Sequence, residues 1–372
     1  MKFSGLQENI NRGLLVVSHV AGKNAALPIL SNVLVRVGKG GLELVSTNLE
    51  LGVRAEVRGK IEQEGDITVQ AQILSNFVNL LPNKPIDMEL KGTQLTVLCD
   101  GKEVKMNGIG AGEFPVMPVI ERQEEYVITA NIFRQALTQV MFAVQASEVR
   151  PEISGVLFSF HAPAAGTLTL AGTDSYRLAE RSLVLDSASA VTPKRLIVPL
   201  RTCQEVIRIL GYLDEKTPVR IAFGEGQMAV VMGEVELVSR LIEGRYPDYE
   251  QIIPKNAKTQ VIVDTSELIR AVKQASLFCS GGINDVHLSF DAEHGLTITA
   301  TSQQLGESSS TLQASVTGDK NQIVFNYRYL LDGLQNMPTS EVVLETVNDA
   351  APGVLRPVND KSYLYLIMPI KQ

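Results

Sequence analysis

The chain has no tryptophan and only three cysteines in 372 residues. Cys99, Cys203 and Cys279 are odd in number and lack the paired spacing of metal ligands. That argues against a disulfide-stapled secreted scaffold and a thiolate metal site; they read as buried thiols in a reducing cytoplasm. No run approaches the ~18 apolar residues that a membrane span needs. The opening Met1-Lys2-Phe3-Ser4-Gly5-Leu6-Gln7-Glu8 has no apolar stretch behind it, so no signal peptide is expected and the location is read as cytoplasmic. A net charge of −7 argues against a generic basic nucleic-acid coat.

Catalytic motifs are missing too. Gly108-Ile109-Gly110-Ala111-Gly112 lacks the spacing of a dinucleotide loop and runs into Glu113-Phe114-Pro115, where no helix can begin soon. There is no phosphate-binding G-x-x-x-x-G-K-[ST], no H-E-x-x-H and no G-x-S-x-G. Asp285, His287, Asp291, Glu293 and His294 flank a strand and its turn, which reads as a solvated turn rather than a metal site. No acid, base or nucleophile stands out, and neither an enzyme nor a cofactor is expected.

What is present is repetition. Gly41-Leu42-Glu43-Leu44-Val45-Ser46-Thr47-Asn48 aligns with the segment Gly166 to Asp174 and with Gly295-Leu296-Thr297-Ile298-Thr299-Ala300-Thr301-Ser302. Each third opens with a short strand and an amphipathic helix, passes a strand pair ending in Thr plus a polar residue, and continues through a second helix and more strands. Glu113-Phe114-Pro115 answers Arg245-Tyr246-Pro247. The period is far longer than that of solenoid repeats, so each copy is expected to be a domain with its own core. Domains of 1–121, 126–252 and 253–372 follow.

Helices are expected at 6–20, 71–81, 130–146, 201–212, 265–277 and 326–337. Ile132, Ala136, Val140 and Val144 form one stripe, Leu6, Ile10, Leu14 and Val17 another, and Ile73, Leu74, Phe77, Val78 and Leu81 a third. Val206, Ile207, Leu210 and Leu213 are expected to share a face opposite Glu205 and Arg208. These windows hold seven cations against four anions, which suits a mildly basic helical face on an acidic body. Period-two strands lie between the helices, with Asp100-Gly101 as a hairpin turn. The expected class is α+β: three repeated domains, each with two helices packed on antiparallel sheet.

At this point the chain resembles a known family, the bacterial DNA polymerase III beta subunit or sliding clamp. The resemblance covers essentially the whole chain. It rests on Met1-Lys2-Phe3, Leu27-Pro28-Ile29-Leu30-Ser31-Asn32, Gly172-Thr173-Asp174-Ser175-Tyr176-Arg177-Leu178-Ala179, Leu196-Ile197-Val198-Pro199, Gly244-Arg245-Tyr246-Pro247-Asp248-Tyr249, Ile253-Pro254-Lys255-Asn256, Phe325-Asn326-Tyr327 and Tyr365-Leu366-Ile367-Met368-Pro369-Ile370. It implies that two chains pair head to tail into a ring of six domains around duplex DNA, tethering a replicative polymerase without catalysing anything. Clamp-loader and repair proteins dock on the same platform, and no membrane is involved. A three-domain scaffolding protein and an interface enzyme are the rival readings.

The resemblance also implies sites. DNA contact falls on Lys23, Asn24, Gln72, Arg150 and Arg201, with Asn24 and Gln72 standing where relatives often carry a basic residue. A pocket for short partner peptides falls on Thr173, Ser175, Arg177, Leu178, Pro247, Ile252, Asn326, Tyr329, Leu366, Met368, Pro369 and Ile370. Ser175 and Tyr176 replace a glycine and a histidine of the family, so a reshaped rim is expected. The dimer seam falls on Val104 and Met106 of one chain and Leu277 and Phe278 of the other. Gln303, Gln304, Glu307, Ser308, Ser309 and Ser310 stand on the opposing strand where some relatives are more acidic.

Overall fold

The computed structural model describes residues 1–22, 27–122, 124–147, 149–190, 192–279 and 284–371. The first third runs β1 (Lys2–Leu6), α1 (Gln7–Ser18), β2 (Asn32–Gly38), β3 (Gly41–Thr47), β4 (Leu51–Val57), β5 (Lys60–Gln63), β6 (Gly65–Gln70), α2 (Ala71–Asn79), β7 (Pro85–Lys91), β8 (Gln94–Cys99) and β9 (Lys102–Asn107). The second runs β10 (Glu125–Thr129), α3 (Ala130–Met141), β11 (Gly155–Phe160), β12 (Thr167–Thr173), β13 (Arg177–Val184), β14 (Ser187–Ala188), β15 (Lys194–Pro199), α4 (Leu200–Leu210), β16 (Pro218–Gly224), β17 (Gln227–Met232) and β18 (Val235–Arg240). The third runs β19 (Thr259–Asp264), α5 (Thr265–Ser276), β20 (Asp285–Asp291), β21 (Gly295–Ser302), β22 (Gly306–Leu312), β23 (Ser315–Gly318), β24 (Asn321–Asn326), α6 (Tyr327–Gln335), β25 (Glu341–Thr346), β26 (Gly353–Pro357) and β27 (Tyr363–Ile367). The order of strands and helices is the same in all three, so the α+β class and the threefold repeat hold.

The sheets cross the repeats. A five-stranded sheet, β5-β1-β7-β8-β9, belongs to the first third alone, and a four-stranded sheet, β22-β21-β20-β24, to the third alone. Between them in sequence, β14-β10-β16-β17-β18-β4-β3-β2-β6 joins the first and second thirds through β18 and β4. The sheet β15-β11-β12-β13-β27-β26-β25-β19-β23 joins the second and third through β13 and β27. The described residues therefore pack as two compact units: Met1–Phe133 with Leu185–Ala190 and Gln204–Leu241, and Arg134–Val184 with Val191–Cys203 and Ile242–Gln372. The central repeat lends strands to both.

The helices bury the expected stripes, with corrections at their ends. Ile10, Leu14 and Val17 are buried, but Leu6 belongs to β1 and is half exposed. α2 buries Leu74 and Val78 and leaves Ile73 exposed. α3 stops at Met141, so Val144 lies in the following turn. The carbonyl of Phe142 accepts from the Arg177 guanidinium at 3.0 Å, a cationic cap at the helix's negative end.

The largest correction concerns α4, where Glu205 and Arg208 face inward rather than away. Arg208 donates to the carbonyls of Leu15 and Val16 at 2.9 and 2.6 Å. Gln72 donates to the carbonyl of Ser18 at 3.1 Å. These groups satisfy carbonyls that the end of α1 would otherwise leave without partners. Glu205 is buried and paired with Arg208 and His19, the arrangement a buried carboxylate requires. Asp100 and Gly101 take left-handed φ of 49° and 75°, as a two-residue hairpin between β8 and β9 demands.

Candidate functional site

The repeated Thr-polar pair builds a turn. After β3, the Thr47 hydroxyl donates to the Leu51 carbonyl, and the Asn48 side chain accepts from the amides of Glu50 and Leu51. After β12, Thr173 donates to the Arg177 carbonyl, and Asp174 accepts from the amides of Tyr176 and Arg177. After β21, Ser302 accepts from the amides of Gln304 and Leu305. These are Asx-type turns in which a short polar side chain replaces a strand partner. Ser175 sits at a φ of 77°, a left-handed conformation unusual for a side-chain-bearing residue, and the flanking bonds hold it there.

In the second unit this turn carries a charged cluster. Arg177 bonds Asp174 at 2.9 Å, pairs with Asp332 of α6, reaches the Phe142 carbonyl and lies 4.6 Å over the Tyr329 ring. Its side chain is 12% exposed, so these contacts are partly desolvated and strong for their kind. Tyr176, 63% exposed, stacks on Tyr329 with centroids 6.5 Å apart. The tail is tied to the same turn, because the Met368 amide donates to the Tyr176 carbonyl at 2.8 Å. Gly333 lets this corner close: a Cβ there would meet the Tyr365 ring at 2.1 Å, and the Tyr365 hydroxyl donates to the Tyr329 carbonyl at 2.8 Å.

Beside the turn lies a cavity of about 150 Å³, lined by Arg150, Ile153, Thr173, Ser175, Arg177, Pro247, Asp248, Tyr249, Ile252, Leu366 and Met368. Its floor is a buried cluster that includes Leu157, Ala171, Leu178, Tyr246, Val354 and Leu366, with Met368 packed against it. Tyr249 donates to Glu180 at 2.5 Å. Burial pushes the Glu180 carboxyl above its ordinary range, and the Tyr249 hydroxyl opposes that shift. A rigid apolar floor, an adaptable Met and a few fixed polar groups suit capture of an aliphatic or aromatic side chain.

Of the residues expected here, Thr173, Ser175, Arg177, Pro247, Ile252, Leu366 and Met368 line the cavity. Leu178 is buried beneath it. Tyr329 contributes through Arg177 and Tyr176, while Asn326 caps α6 by accepting from the Arg328 amide. Pro369 is half-buried just beyond Met368. Ile370 goes elsewhere, its amide donating to Val324 and its side chain lining a separate depression on β20, β21 and β24. Ile153, Asp248 and Tyr249 are additional lining residues; in sequence each looks like core or loop.

Among the residues expected to touch DNA, Lys23 and Asn24 lie outside the described residues. Gln72 is exposed, with its amide engaged by Ser18. Arg201 is exposed on the first turn of α4. Arg150 lines the cavity, bonding Ser175 and Glu152 at 3.0 Å each. Of the seam residues, Val104 is half-buried and Met106 buried on β9, while Leu277 is 72% exposed and Phe278 half-buried at the end of α5. β9 and β22 are each a sheet edge with one strand neighbour among the described residues. No three His, Cys, Asp or Glu side chains converge on a metal-sized site among the described residues, and no described helix is long and apolar enough to cross a membrane.

Three family models match this chain in order. They are the DNA polymerase III beta subunit N-terminal domain at residues 1–118, its central domain at 127–248 and its C-terminal domain at 250–371. Together with the repeated architecture they define a polymerase accessory clamp. The chain belongs to the DNA polymerase III beta subunit family, the sliding clamps, whose role is non-catalytic. It is 28% identical to the beta sliding clamp of Synechococcus elongatus over 375 residues, covering 100% of this chain and 99% of the relative. It is also 28% identical to that of Bacillus subtilis over 382 residues, covering all of both. The crystal structure of the Bacillus subtilis clamp superimposes with a TM-score of 0.93 at 27% identity, covering 100% of this chain and 99% of that one. A Pseudomonas aeruginosa clamp bound to griselimycin superimposes with a TM-score of 0.94 at 26% identity, covering all of both.

Proposed function

We propose that two copies of this chain close head to tail around duplex DNA and hold a replicative polymerase on its template, with partner peptides docking at the cavity beside Arg177. As a sliding clamp it supplies processivity, and the chemistry belongs to the polymerase. The observation that carries the reading is the pair of incomplete sheets. Joining β9 of one copy to β22 of another gives β5-β1-β7-β8-β9-β22-β21-β20-β24, the strand pattern of the two nine-stranded sheets already present. Each copy offers one edge of each kind, so two copies satisfy both, and no exposed edge of this pair is left to recruit further chains.

The joined sheets suggest the register. Val238 faces Gly52, and Val235 faces Ala55. Transferred through the hairpins, Lys105 of one copy falls opposite Glu307 of the other, Met106 opposite Gly306 and Val104 opposite Ser308. Leu277 takes the place on α5 that His19 has after α1, where His19 meets Glu205 of the neighbouring repeat. Leu277 and Phe278 thus belong to the seam between copies, which is mainly apolar and strand-paired with few ion pairs.

Inside such a ring the polar helix faces meet phosphates through scattered cations such as Arg134, Arg201, Arg270 and Lys273. Contacts of this kind read no bases and permit sliding. Closure supplies persistence, which is how a chain of net charge −7 holds DNA. Cytoplasmic location, the homodimer and docking of loader and repair proteins are parts of the same reading. The test is topological: the loaded protein is retained on nicked circular duplex and released when the circle is linearised. Equal retention on circle and linear duplex overturns the proposal.

A further inference from the structure

An open cavity of about 670 Å³ lies in the first unit where β4 ends and β18 begins, at the opposite end of that strand pair from the 48–51 turn. Its apolar floor includes Val16, Ala55, Val57 and Val235, and Tyr212, 44% exposed, forms one wall. Its size falls within the range of ligand sites, and its apolar floor is ringed by charged side chains. The second unit has the same place in its own β13–β27 pair, and there the protein fills it. Ala55 faces Val235 in one pair, and Arg181 faces Tyr363 at the same register of the other. Tyr363 is fully buried, its hydroxyl donating to the Gln139 carbonyl of α3 at 3.1 Å. Arg181 pairs at 2.6 Å with Asp360. Asp360 stands on the 358–362 connection, where the first unit has only Gly233-Glu234. On α1 the residue matching Gln139 is Val16, a lining residue of the cavity.

We propose that this cavity is a docking site for an aromatic side chain of a partner polypeptide, the ring doing from outside what Tyr363 does within the chain. The rim fixes the neighbour of that ring. It carries Arg12 and Arg58 against Glu56, Glu234 and Asp214, an excess of one acid, with Arg58 already paired to Glu234 and Arg12 to Glu8. A basic residue beside the aromatic complements it. The site is independent of the cavity at Arg177.

The probes are N-acetyl-tyrosyl-lysine amide, its tyrosyl-glutamate counterpart and p-cresol, titrated into the full chain while the methyl resonances of Val16, Val57 and Val235 are followed. A ligand this small is expected to bind at about millimolar Kd, with Tyr-Lys several-fold tighter than Tyr-Glu. Val235→Tyr should supply the ring internally, abolish binding and raise the melting midpoint; Tyr212→Ala, which leaves the floor intact, should weaken binding at least threefold. Three results would each overturn the proposal: shifts confined to other methyls, undiminished binding to both variants, or p-cresol binding as tightly as the Tyr-Lys probe, which would mark a site for free phenols.

Discussion

The junctions of the first with the second repeat, and of the second with the third, share a strand register and a turn geometry yet leave opposite ends open. At the turn end, Leu49 takes the left-handed φ that Ser175 takes, and Leu51 the place of Arg177. There the linker fills the first junction: Ile120 is 7% exposed and packs with Met117 on Ala229 and Val238. Ala229 and Val238 are the counterparts of Val354 and Leu366 beneath the cavity of the second junction, where Ile252 remains 45% exposed. At the other end the second junction is filled by Tyr363 and Arg181, and the first is hollow. Duplication supplied the frame. A few substitutions at matched positions decided which end of each junction can receive a ligand.

The strongest way to break this asymmetry is to give the second junction the residue of the first. Arg177→Leu removes the partner of Asp174, whose side chain is 12% exposed, and uncaps the carbonyl of Phe142. Loss of one member of such a partly buried pair is expected to cost about 3 kcal/mol, read as a lower denaturation midpoint. Asp332→Asn should cost much less, because Asp332 is 44% exposed. Equal losses in the two variants would remove Arg177 from its central place.

The next effect is on binding. Met368→Ala with Ile252→Ala strips the adaptable and exposed walls of the cavity while leaving the buried cluster under it. Affinity for a short peptide that presents leucine and phenylalanine side chains should fall about 10- to 100-fold, as truncation of interface anchors does, with the sedimentation behaviour of the protein unchanged. Ile120→Ala at the first junction should leave peptide affinity as it was. A loss at Ile120 equal to that at Met368 and Ile252 would mean that both turns bind.

Much of this was legible in the sequence. Thr47-Asn48, Thr173-Asp174 and Thr301-Ser302 align through the residue pattern of the repeats, and each second residue bonds the amides two and three positions on. Periodicity located α1, α2, α3 and α4, because one apolar face on each is buried. Pairing that depends on long-range contact stayed hidden. Glu205 and Arg208, three apart on a helix, look like a solvated pair until the end of α1 arrives to be capped. The resemblance assigns Arg150 to DNA contact, yet it bonds Ser175 and Glu152 and lines the cavity. Ile370 lies only two residues beyond Met368, but past Pro369 its amide bonds the Val324 carbonyl and it lines the depression on β20, β21 and β24 instead. The grouping into two units rests on β18 meeting β4 and β13 meeting β27, which no local pattern announces.

A smaller effect sharpens the comparison between joined and unjoined sheets. If β9 meets β22 in the register of β18 and β4, Lys105→Glu should weaken the dimer by about 1 kcal/mol, the scale of an exposed cross-strand charge pair. Glu307→Lys in the same chain should restore it. Added salt should weaken the proposed dimer only slightly if apolar contacts and strand pairing carry its seam. Failure of the double reversal to rescue would point to another register, and a steep salt dependence would count against the apolar seam.

The smallest effect lies at Glu180, which occupies the strand position of Arg54 in the first junction. Arg54 is ion-paired with Glu43 and Glu236, whereas Glu180 is half-buried and accepts from the Tyr249 hydroxyl. Burial raises the Glu180 pKa, the Tyr249 hydroxyl opposes this, Glu250 adds to it and Arg356 subtracts. A carboxyl with a raised folded-state pKa contributes stability that is complete below its unfolded pKa and is lost as pH rises through its folded one. The stability of the wild type minus that of Glu180→Gln should therefore fall as pH climbs from the ordinary carboxylate range toward neutrality, because the other titrating groups cancel in the difference. Urea denaturation of both proteins across that range checks it. A difference independent of pH would mean that the Tyr249 hydroxyl and Arg356 compensate the buried charge in full, and that the second junction bears no penalty from its carboxylate.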